Sequence, residues 1–491
     1  MKRALAIDLG ASTGRAILGT LENGTLRLEE IHRFENRPKE TDGAFRWDLD
    51  ELMDDIRLAL KLAHEKGGYD CIGIDTWGVD FGLLDENGTL LETPLHYRDE
   101  SSIGMVEQFC QGYPTDELYR ETGLQMMHIN SLFQLEACRT SRPEIFKKAK
   151  TLLMMPCLIA YLLTGEKKNE YTAVSTSQLL NAASKSPSAR VLEKLGLTEE
   201  FLGEIVPTGC VLGHLSEEVC QSLGIPSVPV IAVGMHDTAS AVAAVPTQEK
   251  DFIYISSGTW SLFGTELDAP ETGDDACRLN LANEGGVFSK IRLLKNIMGL
   301  WLVQESRRQF KREGDEGVTF ADLEREARAA APFTSFITPD TASFEAPGDL
   351  PERIRTFCRN SGQHVPETRG ELMRTIYEGL AFRYRKTLSE IEELTGRRFD
   401  SIHIVGGGTK DDFLSQFTAN ATGRRVTAGP TEATAMGNLL LQFYATGEVN
   451  DLSEIRQISE NSFAIKEFLP QDTALWDEMY EKWCAVTKDE H

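Results

Sequence analysis

The chain lacks any long uninterrupted apolar run. Its longest such stretch, Leu152 to Leu163, contains Pro156 and is too short to span a bilayer, so no membrane segment is expected. Positive charge is also scarce: 51 Lys and Arg stand against 76 Asp and Glu, a net charge of −25. That excludes the basic footprint of a nucleic-acid binder, and no basic helix-turn-helix stretch is visible. A nucleotide is not excluded, because a local nest of amides with a metal ion can hold phosphates in an acidic protein. The nine cysteines include no C-x-x-C pair, which argues against a zinc site and for unpaired thiols. Whether Cys71 and Cys220 meet in space is left open. Asp8 arrives too early for a secretory signal, and a cytoplasmic protein is expected.

What is present is an ordinary globular composition, 41% apolar and 26% charged. At 491 residues the chain is too long for one core, and two or more domains are expected. The order of strands and helices is that of an α/β protein with mixed sheets.

The stretch that organises the chain is Val228 to Val245. Val230 to Val233 reads as a buried strand and Gly234 as a sharp exit. Asp237 then stands where a helix N-cap belongs, ahead of an Ala-rich helical segment. An acid at the carboxyl edge of a sheet lies where open α/β folds bind ligands. An ionised Asp237 there can accept the proton of an alcohol. The plainer reading is a helix cap.

Two turns are rich in Gly and hydroxyl residues. The first, Asp8-Leu9-Gly10-Ala11-Ser12-Thr13-Gly14-Arg15, follows the strand Ala4 to Ile7 and precedes a strand and an Asn23-Gly24 hairpin. Such a turn exposes amides to an oxyanion, and Asp8 could orient a hydrated Mg²⁺. The second, Ser256-Ser257-Gly258-Thr259-Trp260-Ser261, follows the strand Phe252 to Ile255 and repeats the pattern. The chain thus reads as two halves, with boundaries expected at 1–246 and 247–491. Between strand ends, Thr76-Trp77-Gly78-Val79-Asp80-Phe81 sets an indole, a glycine and a carboxylate together, a combination suited to a polyol. Trp77 reads equally well as core.

Other segments are read locally. Thr151 to Leu163 is expected as a helix, Glu170 to Thr176 as a polar loop, and Asn283 to Gly286 as a turn. Ser401 to Val405 is a strand followed by Gly406-Gly407-Gly408-Thr409-Lys410 and a helix. This is a Gly-rich phosphate or flat-ligand turn but not a dinucleotide fingerprint.

Together these residues resemble the FGGY carbohydrate kinases over nearly the whole chain. Asp8 to Arg15 is similar to their first phosphate loop and Ser257-Gly258-Thr259 to their second. Leu163-Thr164-Gly165-Glu166 with Glu170 to Thr176 resembles a signature region. Val405 to Gly408 with Glu432 to Gly437 resembles the adenosine motif, and Gly234-Met235-His236-Asp237 the segment of the catalytic aspartate. Within the family, Gly73 to Phe81, His236-Asp237-Thr238 and Asn296 to Trp301 look like those of the kinases that act on L-rhamnulose.

The resemblance implies two actin-like (ribonuclease H-like) domains around an ATP cleft. The first would carry the sugar site and catalytic Asp, the second the adenosine site. It implies phosphorylation of L-rhamnulose at the C1 hydroxyl, with ATP as co-substrate, Mg²⁺ as cofactor and Asp237 as general base. Ala11, Ser12, Thr13, Gly14, Arg15, Thr259, Asn296, Gln304 and Gly407 would bind ATP. Gly78, His236, Asp237 and Thr238 would line the sugar, with Trp77 and Asp80 beside them, and Asp8 would orient the metal. A monomer or homodimer with no nucleic-acid or membrane partner is expected. The alternatives are a kinase of L-fuculose or L-xylulose, or a non-catalytic actin-like ATPase.

Overall fold

The structure, a computed structural model, describes residues 2–488. The chain forms two compact units, and it enters each of them three times. The first comprises Met1–Gln248, Glu266–Leu294 and Glu432–Phe463; the second comprises Glu249–Thr265, Lys295–Thr431 and Ala464–His491.

In the first unit six strands lie in the order Val211–His214, Pro229–Ile231, Cys71–Thr76, Arg3–Leu9, Thr13–Glu22, Thr25–Glu35. Arg3–Leu9 runs antiparallel to Thr13–Glu22 and parallel to Cys71–Thr76, so the sheet is mixed. Asn23 and Gly24 turn the hairpin with φ of 51° and 72°, the left-handed pair a two-residue turn needs. Arg3–Leu9 is buried at every position after its first, as expected of a central strand covered on both faces. The helix Ala433–Ala445 packs on this strand, on Cys71–Thr76 and on the helix Asp237–Ala243. Glycine makes those contacts possible. A Cβ on Gly73 would lie 2.2 Å from Asn438 Oδ1, and one on Gly437 would lie 1.8 Å from the Ser240 carbonyl oxygen.

The second unit repeats the scheme. Five adjacent strands of its sheet run Trp260–Leu267, Ile253–Ser257, Ser401–Val405, Arg425–Ala428, Lys466–Phe468. Ile253–Ser257 is antiparallel to the strand that follows it and parallel to Ser401–Val405. Thr319 and Thr368 close capping boxes at the helices Phe320–Ala329 and Arg369–Thr395. Each unit is therefore an α/β layer structure around a mixed sheet, as the sequence leads one to expect.

Three local expectations are corrected. Thr151–Met154 is a strand paired with Phe81–Leu84, and the helix begins only at Met155. Pro156 stands in that helix's first turn, where its missing N–H costs nothing. Asn283 and Glu284 lie in the strand Ala282–Gly285, hairpin partner of Ile291–Met298. His236, not Asp237, is the N-cap of the helix Asp237–Ala243, and Asp237 is its first residue. The nine cysteines are all free. No helix among the described residues is long and apolar enough to cross a membrane.

Candidate active site

Three acids of the first unit converge at the carboxyl ends of its parallel strands. Asp8 and Asp75 are register partners on neighbouring strands. Thr76 N–H donates to the Met235 carbonyl at 3.0 Å, which ties the next strand end to the His236-Asp237 segment. Asp8 is buried and Asp75 completely so, whereas the Asp237 side chain keeps 29% of its surface exposed. Burial pushes the Asp8 carboxyl up to about 6, with repulsion from Asp237 and Glu432 adding to it and Arg15 opposing it. Burial, then repulsion from Asp8, holds Asp75 well above the usual carboxylate range.

The first turn is tighter than the sequence motif suggests, because the strands run to Leu9 and from Thr13. Asp8 and Arg15 face each other across the hairpin, and Arg15 Nη2 donates to Asp8 Oδ2 at 2.5 Å. Its Nη1 donates to Glu432. Asn36 steadies the loop, its N–H on the Ser12 carbonyl and its side chain on that of Gly10, both at 3.1 Å. Ser12 and Thr13 are exposed and Ala11 is half-buried. Gly14 is buried, and a Cβ there would meet the Phe34 ring at 2.3 Å, so packing demands glycine at that position.

Asp237 sits between two polar neighbours. Thr238 Oγ1 donates to Asp237 Oδ1 at 3.0 Å, and His236 Nε2 lies 3.4 Å from the same oxygen. The backbone behind them is held by Glu170. One carboxylate oxygen accepts from Thr172 Oγ1 at 2.6 Å, Ala173 N–H at 3.1 Å and Met235 N–H at 3.3 Å, and the other from Thr208 Oγ1 at 3.0 Å. Thr172 Oγ1 in turn accepts from His236 N–H at 3.2 Å. The polar Glu170 to Thr176 segment thus contains the short helix Tyr171–Val174, capped by Glu170, that fixes the entry to Asp237.

Trp77 and Asp80 form a buried cluster. Asp80 accepts from Trp47 Nε1 at 2.6 Å, Trp77 Nε1 at 2.9 Å, Gln134 Nε2 at 3.1 Å and Tyr97 N–H at 3.2 Å. Burial nonetheless outweighs these donors and raises its carboxyl to about 7. The Trp47 and Trp77 rings lie 3.9 Å apart. Asp80 therefore aims the Trp77 indole. Gly78 is half-buried, and a Cβ there would touch Thr176 at 3.2 Å.

In the second unit the structure brings Thr259, Gln304 and the triple glycine around one turn. Thr259 Oγ1 donates to Gln304 Oε1 at 3.3 Å. The Leu300 N–H closes on the Gly258 carbonyl and the Trp301 N–H on that of Thr259. A Cβ on Gly408 would lie 2.0 Å from Ser257 Oγ, while one on Gly407 would meet nothing within 4 Å. Asn296 is half-buried on the strand Ile291–Met298.

Models of the two domains of the FGGY family of carbohydrate kinases match the chain, the N-terminal one over residues 3–244 and the C-terminal one over 253–446. The chain belongs to the FGGY family of carbohydrate kinases. A rhamnulokinase of Bacteroides thetaiotaomicron is 46% identical over 476 residues, 97% of each chain. One of Bacillus subtilis is 40% identical over 469 residues, 95% of each. Among solved structures, a xylulose kinase from Lactobacillus acidophilus superposes with a TM-score of 0.84 at 19% identity, covering 99% of this chain and 98% of that one. A glycerol kinase from Plasmodium falciparum gives 0.79 at 15%, covering 100% and 98%. These two likenesses speak for the fold alone. Membership of the FGGY kinases makes this protein a sugar kinase, which uses ATP-dependent chemistry.

An FGGY kinase implies a divalent cation, and the donor set bears on its coordination. Among the described residues no group of three or more His, Cys, Asp or Glu is placed to cage a metal directly. Asp8 and Asp75 repel each other and Asp237, and Asp75 Oδ1 is buried with no hydrogen-bond partner among the described residues. Mutually repelling carboxylates of this kind suit a divalent cation.

Sequence reasoning missed several members of this site. Asp75 lies inside a segment singled out for its indole and passes as a strand residue. Glu432, Arg292, Glu284 and Asn438 act through partners far away in the chain. Asn438 Nδ2 donates to Asp75 Oδ2 at 2.5 Å across 363 positions. The one available signal was a charge in an apolar strand, as in Ile291-Arg292-Leu293-Leu294.

Proposed function

We propose that the protein transfers the γ-phosphoryl group of ATP to the C1 hydroxyl of L-rhamnulose, with Asp237 as the general base. The observation that carries this reading is full-length similarity to rhamnulokinases, joined to Asp237's standing as the accessible acid beside two buried ones. The C1 hydroxyl gives its proton to Asp237 while its oxygen attacks the γ-phosphorus. The bond to the β-phosphate oxygen breaks and ADP leaves. General-base help of this kind is worth roughly 10² to 10⁴ in rate. Positioning and neutralised phosphoryl charge supply the rest.

In this reading Ala11, Ser12, Thr13, Gly14 and Arg15 hold phosphates, and Arg15 is pre-aimed by Asp8 and Glu432. Thr259, Asn296, Gln304 and Gly407 serve the nucleotide. Gly78, His236, Thr238 and the Trp77–Asp80 pair serve the sugar. Asp8 would hold Mg²⁺, whose charge would help neutralise the phosphates when it is bound. The sugar site and base belong to residues 1–246 and the adenosine site to 247–491. The enzyme is cytoplasmic, a monomer or homodimer, and its nine free thiols suit a reducing compartment.

The names of the relatives favour L-rhamnulose over L-fuculose or L-xylulose. ADP release from MgATP tests the choice. L-Rhamnulose should stimulate it at least about tenfold above L-fuculose, L-xylulose and glycerol, the discrimination expected of a site built to bond specific hydroxyls. Equal stimulation by all of them would remove the substrate assignment.

A further inference from the structure

Arg292 and Glu284 have no part in the proposed reaction, yet both are buried against His236. They are register partners on the hairpin of Ala282–Gly285 with Ile291–Met298. Arg292 is completely buried. Its Nε donates to the Gly285 carbonyl at 2.9 Å, and its Nη2 lies 2.9 Å from His236 Nδ1 and 3.0 Å from Glu284 Oε2. Arg292 Nη1 is buried without a hydrogen-bond partner among the described residues. A buried guanidinium with an idle amino group is a poor source of stability. Its explanation lies in its effect on the imidazole.

A guanidinium can only donate. Two groups face Nδ1: Arg292 Nη2 at 2.9 Å, which can only donate to it, and Glu284 Oε2 at 3.2 Å, which could accept a proton from it. The guanidinium is the nearer and Glu284 is itself paired with it at 3.0 Å, which favours Nδ1 as the acceptor and the imidazole proton on Nε2. Nε2 is the atom that faces Asp237 Oδ1, at 3.4 Å. We infer that Arg292, anchored by Glu284, is a positioning residue that locks His236 in the Nε2–H tautomer and thereby orients the Asp237 carboxylate. Nε2–H and the Thr238 hydroxyl both point to Oδ1. Oδ2 is left to take the C1 proton. The opposite tautomer would set a ring lone pair against the carboxylate and turn it away. The part played by Oδ2 rests on the reading of Asp237 as base; the tautomer does not.

Two measurements test this. In protein labelled with [¹⁵N]histidine, long-range ¹H–¹⁵N correlation reports which ring nitrogen carries the proton, and the His236→Gln variant identifies the His236 signals. The expected pattern is Nε2-protonated in the wild type, with that preference lost in Arg292→Met. An Nδ1-protonated wild type, or an unaltered pattern in the variant, overturns the inference. Kinetically, Arg292→Met should lower kcat about tenfold or more, the worth of one charged hydrogen bond, with the KM for ATP changed less than about twofold. In the His236→Gln background, whose amide has no tautomer to set, the same substitution should cost less than about threefold further. Equal factors in the two backgrounds would show that Arg292 acts only on the fold. Should no ketose be turned over at all, the proposed function falls, while the wild-type spectrum still decides the tautomer.

Discussion

Asp237→Asn lowers kcat by about 10² or more and leaves the KM for ATP nearly unchanged. Asparagine keeps the size of the side chain and an oxygen for Thr238 and His236 to address, at 3.0 and 3.4 Å in the wild type. It removes only the ability to accept a proton. Because His236, not Asp237, is the N-cap of that helix, the substitution takes no cap away from it. A kinetic loss with a native melting curve is therefore the expected result of steady-state assays and thermal unfolding run side by side. Near-wild-type turnover would show that some other group takes the proton.

Gly437→Val is expected to cost both the fold and the activity. The position lies where the helices Ala433–Ala445 and Asp237–Ala243 touch, and a Cβ there would stand 1.8 Å from the Ser240 carbonyl oxygen and 2.6 Å from its carbon. Those neighbours are backbone, so no rotamer change relieves the clash and one helix must move. Overpacking usually costs about 1–3 kcal/mol and more where the backbone cannot yield. The same helix carries Asn438 to Asp75 and Gln442 to the Leu5 carbonyl, and the other begins at Asp237. A displaced helix thus misplaces the acids as well. The thermal midpoint should fall by about 5 °C or more, with kcat reduced in whatever protein stays folded. Gly447→Asn is the control. Its φ is 85°, a value asparagine tolerates, and a Cβ there would meet nothing within 4 Å, so a change under about 1 °C is expected.

The sequence disclosed what depends on neighbours in the chain. Asp8 and Ser257 lie at the ends of strands that lead into Gly- and hydroxyl-rich turns, and Gly406 to Gly408 follow the strand Ser401–Val405. Asp237 was visible as an acid at a strand-to-helix turn, although the cap itself proved to be His236. What stayed hidden depends on tertiary partners. Asp75 gains its importance from register with Asp8 and from Asn438. Glu432 was visible as part of a glycine-containing motif, but its role in holding Arg15 spans 417 positions. Glu284 sat in a run that reads as a turn, because Asn-Glu-Gly-Gly has turn composition; pairing with Ile291–Met298 overrides that preference. Thr151–Met154 was hidden for a related reason. A short apolar run serves strand and helix alike, and Pro156 marks the true helix start.

The most direct test is the product formed from L-rhamnulose and MgATP by the purified protein, read by ³¹P NMR with ¹³C-labelled sugar. One phosphomonoester per ADP, its phosphorus coupled to C1, is the result this account predicts. Phosphate released without a phosphorylated sugar, or a phosphoryl group on another carbon, would contradict it.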